Sequence, residues 1–424
     1  MRLVERHIIQ PRHRFFCEID RLCWQSKNLY NYANYKVRQS FIFAQNYRPY
    51  NDIQKTIQGT EPYQALPAKV SQQILRKVGG VGFRPAKLFK KMVLDRNWKS
   101  FLAANQAYQE HPEKFLGRPK LPKYKNIETG RNLLIYTIQA LSQRQLKQGI
   151  IHPSKTEIYL RTTVETSKIK QVRIIPRLNH YVIEVIYEAE QLQYELEEKS
   201  CASIDIGLNN LATLTFNQAG IQPLLINGRP LKSINQYYNK VRGRLQAFLP
   251  KNQSSRRLKK LCNKREFKVN DYLHKASRLV INTLIHYRIR TLILGKNPEW
   301  KQKINLRKKT NQNFVQIPHA KFIELLSYKA KLAGIQVILT EESYTSQASF
   351  LDKDNIPVYK KGEKNSPRFS GKRVKRGLYR TASGRLVNAD VNGSLNIMRK
   401  AVPNALSYGV EGVVVHPVRV TPTK

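Results

Sequence analysis

The sequence is poor in acid, in cysteine and in long apolar runs. Against 75 Lys plus Arg stand only 29 Asp plus Glu, a formal net charge of +46. Such an excess repels itself in the folded state unless a polyanion neutralises it, so nucleic acid is the expected partner, bound with strong salt dependence. The four cysteines, Cys17, Cys23, Cys201 and Cys262, include no C-x-x-C pair. That excludes a disulfide framework and ordinary zinc spacing, and suggests a reduced, cytoplasmic protein. No run of about 18 apolar residues is present to span a bilayer. There is also no signal-peptide-like start and no basic amphipathic helix beside an apolar hairpin, so no membrane partner is expected. Nor is there a phosphate loop: VGGVGFRP, Val78 to Pro85, follows a helical pattern and lacks the third glycine, and reads as a turn or insertion.

At 424 residues and 41% hydrophobic content the chain is long enough for two or three domains with real cores. Met1 to Gln10 reads as a strand. From Phe15 to Phe43 the apolar positions Phe16, Ile19, Cys23, Tyr30, Ala33 and Val37 recur at helical spacing. Tyr30, Tyr32 and Tyr35 read as helix-interface residues rather than base-stacking platforms. Further helices are expected over Pro67 to Lys77 and Lys87 to Tyr108. Phe115 to Lys125, FLGRPKLPKYK, alternates stiff backbone with Arg118, Lys120, Lys123 and Lys125 beside Tyr124, which suits tracking a phosphate chain. Between Asn132 and Glu190 four β-rich runs, NLLIYTI, EIYLRTTV, IKQVRIIPRL and HYVIEVIYEA, suggest a small antiparallel barrel, with Lys168, Lys170, Arg173 and Arg177 facing single-stranded nucleic acid. Gln191 to Lys199 is acidic and reads as a linker.

The chain is organised around Cys201 to Phe216, CASIDIGLNNLATLTF: a strand, a turn at Gly207 to Asn210 and a second strand. Asp205 falls inside the first apolar run. A buried carboxylate needs a partner, and both a bound metal and a local turn cap supply one. A third strand at Gln222 to Asn227 follows, then a long basic helix over Ser254 to Arg288. The remaining pieces are a strand at Ile289 to Leu294, a helix from His319 to Ala333 and a strand at Ile335 to Leu339, followed by Thr340, Glu341 and Glu342. This succession predicts an α/β domain with a mixed sheet in order 3-2-1-4-5 and Asp205 on the central strand. Near the C-terminus, in NADVNGSLNIMRK, Asp390 opens a helix, where Asp commonly serves only as a cap.

Three features together, SIDIGL around Asp205, Tyr344-Thr345-Ser346, and Asn388 to Gly393 before Asn396-Ile397, resemble the RuvC-like nuclease of transposon-encoded TnpB proteins, relatives of type V CRISPR effectors. GRPKLPKY, Gly117 to Tyr124, resembles that family's wedge region. The resemblance implies a multi-domain protein, α/β plus β-barrel. A wedge barrel would comprise residues 1–14 and 115–195, a helical recognition lobe residues 15–114, and a RuvC (RNase H-like) domain residues 196–424, with a cysteine-free basic insert at about 343–387. It implies an RNA-guided DNA endonuclease with guide RNA and target DNA as partners and two magnesium ions as cofactors. Lys372, Arg373, Lys375 and Arg376 in the insert, and Lys296 and Asn297 after the fourth strand, are candidate nucleic-acid contacts. Trp300 and Asn311 to Gln316 are weaker ones, and His319 reads as structural.

The sequence departs from the family pattern twice. Gly295 stands where the fourth strand usually ends in a glutamate, and Ser349 and Asp352 occupy the usual zinc-cysteine positions, so no zinc is expected. Neighbouring strands lie about 4.8 Å apart, so a glutamate at the end of the fifth strand could lean across toward Asp205. Side-chain alternation admits only one of Glu341 and Glu342. The expected metal-binding triad is therefore Asp205, Glu341 or Glu342, and Asp390. If both glutamates end in solvent, the alternative is a nuclease-dead RNA-guided DNA-binding protein, a repressor or targeting factor.

Overall fold

Helical and alternating apolar periods separate along the chain into two units, Met1–Glu190 and Gln191–Lys424. The computed structural model describes residues 1–44, 46–76, 94–250, 253–296, 315–358, 367–406 and 416–422.

The first unit runs β1 (Arg2–Ile9), α1 (Phe16–Phe43), α2 (Tyr50–Ile57), α3 (Glu61–Gln64), α4 (Ala68–Leu75), α5 (Leu94–Glu110), β2 (Leu134–Thr137), α6 (Gln143–Lys147), β3 (Ile150–Ile151), β4 (Leu160–Arg161), β5 (Ile169–Pro176) and β6 (Tyr181–Glu188). Its main sheet, β1-β6-β5-β2, is antiparallel throughout. Among the described residues β1 and β2 do not pair, so the expected barrel is instead an open sheet. Helices do the work that closure would have done: Ile19, Tyr30 and Trp98 share one apolar core with Val172, Ile174 and Ile183 of the sheet. The strand expected over EIYLRTTV shrinks to β4. Glu5 accepts bonds from the backbone N (3.0 Å) and hydroxyl (2.8 Å) of Thr163 and from the Thr162 hydroxyl, local bonding that replaces a ladder.

Tyr30 is buried, its hydroxyl accepting from Asn97 Nδ2 at 2.7 Å, whereas Tyr35 is exposed. Of the four cations expected on a free basic face, Arg177 is exposed and the other three are engaged with acids. Lys168 pairs with Glu165 at 2.9 Å, Lys170 pairs with Glu188 at 3.2 Å, and half-buried Arg173 lies opposite Glu184 in the ladder. Val78 to Pro85 and the start of the helix expected at Lys87 lie outside the described residues.

The second unit contains β7 (Glu197–Asp205), β8 (Asn210–Phe216), β9 (Leu224–Asn227), α7 (Arg229–Ala247), α8 (Arg256–His286), β10 (Ile289–Gly295), α9 (His319–Leu332) and β11 (Gln336–Thr340). It continues with β12 (Lys372–Lys375), β13 (Leu378–Arg380), β14 (Leu386–Asn388), α10 (Ala389–Ala401) and β15 (Val418–Val420). The sheet order is β11-β10-β7-β8-β9-β15, the anticipated 3-2-1-4-5 order with one more strand at the β9 edge. β10 runs parallel to both β7 and β11, and β8 runs antiparallel to β7 and β9. β7 already begins at Glu197, within the stretch expected to be a linker. The basic insert is more regular than its composition suggested, folding as the small meander β12-β13-β14.

One apolar cluster joins the sheet to α8 and α9 through Ile204, Leu214, Leu273, Val280, Leu292 and Phe322. α10 is fixed to β7 and β8 by buried hydroxyls. Ser203 Oγ donates to the Ser394 carbonyl at 2.6 Å, and Ser394 Oγ reaches the Ser203 and Thr213 carbonyls at 3.0 and 3.1 Å. This seam sets the start of α10 beside the end of β7.

Candidate functional site

Asp205 is the last residue of β7, and two features crowd it. The first is α10: a Cβ at Gly393 would stand 3.2 Å from Asp205 Oδ2, so the carboxylate rests where the helix has no side chain. Asp390 lies three residues before Gly393, in the first turn of α10, but the helix cap is Asn388, whose Oδ1 accepts from the backbone N of Asp390 (3.0 Å) and Val391 (3.1 Å). The Asp390 carboxylate is thus released from capping. Its Oδ2 accepts from Asn210 Nδ2 at 2.8 Å and its Oδ1 lies 3.4 Å from the Arg373 guanidinium.

The second feature is Glu342. In the parallel register Leu294 sits between Ile204 and Leu339, and Gly295 pairs with Thr340, which places Gly295 abreast of Asp205. β11 ends at Thr340 and Lys296 N donates to the Thr340 carbonyl at 2.8 Å, after which the chain turns back. A Cβ built on Gly295 would fall 2.7 Å from Glu342 Cγ, 2.8 Å from Cδ, and onto Oε1. The space of a residue-295 side chain is therefore filled by the Glu342 carboxyl group.

Glu341 points elsewhere. Its Oε2 accepts from Lys400 Nζ at 2.5 Å and its Oε1 from Ser343 N at 2.6 Å. The choice between the two glutamates is made by the turn, which α10 clamps: Asn396 Nδ2 donates to the carbonyls of Thr345 (2.9 Å) and Ala348 (2.7 Å), and Asn392 Nδ2 to Ala348 (2.8 Å). Tyr344 adopts φ of 62° within this turn.

The electrostatics follow from the crowding. Burial first, and the neighbouring Asp390 second, push Asp205 up to about 7, against the pull of Arg373. Burial, then Asp205 and Glu341, push Glu342 up to about 8. A cleft of about 710 Å³ opens over Asp205, Asn210 and Asp390, ringed by Arg229, Arg373, Arg376 and Arg419. Carboxylates surrounded by four guanidinium groups suit a bound phosphodiester, whose oxygens the arginines can hold. The carboxylate oxygens are hard donors of the kind magnesium takes, and their mutual repulsion is what a divalent cation relieves. Among the described residues, no group of three or more His, Cys, Asp or Glu stands in metal-holding geometry.

Arg373 and Arg376, expected from the basic insert, line this cleft, and Lys372 and Lys375 are exposed on β12. Arg229, Arg419 and Asn210 carried no sequence signal. Lys296 is exposed beyond β10, whereas Asn297, Trp300 and residues 311–314 lie outside the described residues. His319 is fully buried at the start of α9. In the other unit, Arg118, Lys120 and Lys123 are exposed on a strap whose backbone is tied to α1. Asn34 Nδ2 donates to the Pro122 carbonyl at 3.1 Å, and Asn31 exchanges bonds with Lys125. Tyr124 carries the Arg38 guanidinium 4.9 Å from its ring centre.

Residues 181–301 match a family model described as a probable transposase (OrfB type), and residues 319–397 match a Cas12f1-like TNB domain. The chain is similar to TnpB and Cas12f proteins. A CRISPR-associated endodeoxyribonuclease Cas12f2 from a Micrarchaeota archaeon is 28% identical over 53% of this chain and 41% of its own length. A TnpB-like protein of Methanocaldococcus jannaschii is 29% identical over 34% of this chain and 54% of its own, and one of Acidianus two-tailed virus 28% over 51% and 43%. The matches therefore span only about half the length of these curated relatives. A cryo-EM structure of a Cas12f1–sgRNA–target DNA complex aligns over 90% of this chain and 82% of that one, at 12% identity and a TM-score of 0.47. No helix among the described residues is long and apolar enough to cross a membrane.

Proposed function

We propose that the chain is an RNA-guided DNA endonuclease whose RuvC-like (RNase H-like) unit hydrolyses phosphodiesters with Asp205, Glu342 and Asp390. The observation that carries this reading is the Glu342 carboxyl group lodged in the space of the missing Gly295 side chain, abreast of Asp205. The glutamate is displaced in sequence and returned in space. Asp205, Glu342 and Asp390 would hold magnesium, two ions in the TnpB-type pattern, which supplies Lewis-acid polarisation of phosphate and water.

The chain's own residues define the remaining roles. Asn210 fixes the Asp390 carboxylate. Arg229, Arg373, Arg376 and Arg419 hold the phosphate backbone over the cleft. Arg118, Lys120 and Lys123, projecting from their anchored strap beside Tyr124, contact guide RNA or target DNA. Sequence is read by base pairing with the guide rather than by side chains.

The test is cleavage of guide-complementary DNA in magnesium. Asp205→Ala abolishes cutting while leaving RNA binding intact, and unchanged cutting refutes the nuclease reading. The second reading, a nuclease-dead RNA-guided DNA-binding protein, is favoured by the lack of a three-group metal cluster among the described residues. It predicts guide-dependent DNA capture by the wild-type chain with no cutting.

A further inference from the structure

A second concavity, of about 410 Å³, lies between α7 and α8, away from the carboxylates. The helices are antiparallel: Tyr238 meets Cys262 Sγ at 3.3 Å, Arg265 Nε donates to Asn235 Oδ1 at 2.7 Å, and the Tyr272 hydroxyl donates to the Asn227 carbonyl. One wall carries Ile234, Tyr237 and Tyr238 and the other Leu261, Lys264 and Lys268. On each helix these positions recur at the three- and four-residue spacing of one face. Tyr238 is buried as the floor, with the Arg265 guanidinium 5.0 Å from its ring. Tyr237 is different, being 60% exposed at the rim.

The surroundings define the occupant. Residues 229–286 contain fifteen Lys and Arg against two acids, Glu266 and Asp271. Lys264 and Lys268 are exposed one helical turn apart, and neither is ion-paired to a described residue. An aromatic face flanked by two regularly spaced cations fits a base stacked between two phosphates, the arrangement used by single-strand binders. A neutral or basic peptide or an apolar molecule would leave the lysine charges unmatched.

We infer that this groove binds unpaired nucleotides of an RNA, with a base on Tyr237 and phosphates on Lys264 and Lys268. The choice of RNA over DNA rests on the RNA-guided reading. In that reading the DNA backbone engages the carboxylate cleft, and the strand that remains bound through the cycle, with unpaired nucleotides outside the heteroduplex, is RNA.

The test is equilibrium binding of an oligoadenylate RNA, and of its DNA counterpart, to the full chain at a salt concentration that suppresses diffuse electrostatic contacts. Tyr237→Ala is expected to weaken RNA binding about tenfold, while Tyr237→Phe, which keeps the stacking ring, leaves it unchanged. Replacing Lys264 and Lys268 together by Ala flattens the dependence of log affinity on log salt by about 1.4, at about 0.7 per phosphate contact. RNA affinity unchanged in Tyr237→Ala overturns the proposal, as does an equal loss on the DNA oligomer. The readout is independent of cutting: an inactive wild-type chain that still loses RNA affinity in Tyr237→Ala discards the nuclease and keeps the groove.

Discussion

Asp352 and Asp205 belong to the same unit, and their surroundings push them in opposite directions. Asp352 stands at one of the positions where the TnpB-type pattern expects a zinc cysteine. Its Oδ2 accepts from Ala382 N at 2.8 Å and Ser370 Oγ at 3.1 Å, and its backbone N donates to Ser349 Oγ at 3.3 Å. Asp354 beside it accepts from Ser349 N at 2.7 Å and Ser370 N at 3.2 Å. Partial burial opposes ionisation, but bonds from Ser349, Ala382 and Ser370 hold Asp352 below the usual carboxylate range. Asp205 is pressed instead against Asp390 and Glu342 and pushed up to about 7. Carboxylates surrounded by donors tie loops together, as zinc would. Carboxylates crowded against one another lower stability, an arrangement that proteins keep mainly where function requires it.

The largest effect expected from this contrast is on cutting. Glu342→Gln reduces single-turnover cleavage by about a thousandfold, while Glu341→Gln, which loses the Lys400 ion pair and eases the repulsion on Glu342, stays within about threefold of wild type. Equal losses in the two variants would erase the distinction between the glutamates. At the other cluster, Asp352→Ala costs about 1–1.5 kcal/mol in urea unfolding by removing the bonds from the exposed Ala382 N and Ser370 hydroxyl, and zinc chelators leave the midpoint of the wild-type chain unchanged.

Titration gives the next effect. Asp205 and Glu342 have folded values of about 7 and 8 against ordinary values of 3.8 and 4.5. The native state therefore binds more protons than the unfolded one across that window, and stability falls as pH rises from about 4 to about 8 in chelator. Asp205→Asn removes much of that fall, and magnesium restores the midpoint at pH 8 in the wild-type chain but not in the variant. Stability independent of pH over this range would deny the compressed carboxylates. The smallest effect is Asn388→Ala, about 1 kcal/mol from the lost cap, with a few-fold loss of cutting as Asp390 shifts.

The central sheet was legible because each of its segments carries its own period, from the alternation around Asp205 to the helical spacing of Leu273, Val280 and Leu284. The barrel was not, because closure depends on which face the helices cover, and α1 and α4 reach the sheet through contacts distant in sequence. Alternation along a strand could not choose between Glu341 and Glu342, since β11 ends at Thr340 and the turn decides. Gly295 looked like a lost ligand from sequence alone, whereas in space it is the vacancy that Glu342 needs. Arg229 and Arg419 reach the cleft only through tertiary folding. Asn388, two residues before Asp390, carries a cap signal legible in the sequence, an Asn immediately before the first helical residue.

Whether Glu342 stands in for a residue-295 carboxylate is tested most directly by DNA cleavage with the exchange variant, Gly295→Glu with Glu342→Gly, beside Glu342→Gly alone. The single variant is expected to be inactive and the exchange to restore cutting, because a carboxylate again stands abreast of Asp205. Cutting by Glu342→Gly alone at the wild-type rate would contradict that role for Glu342.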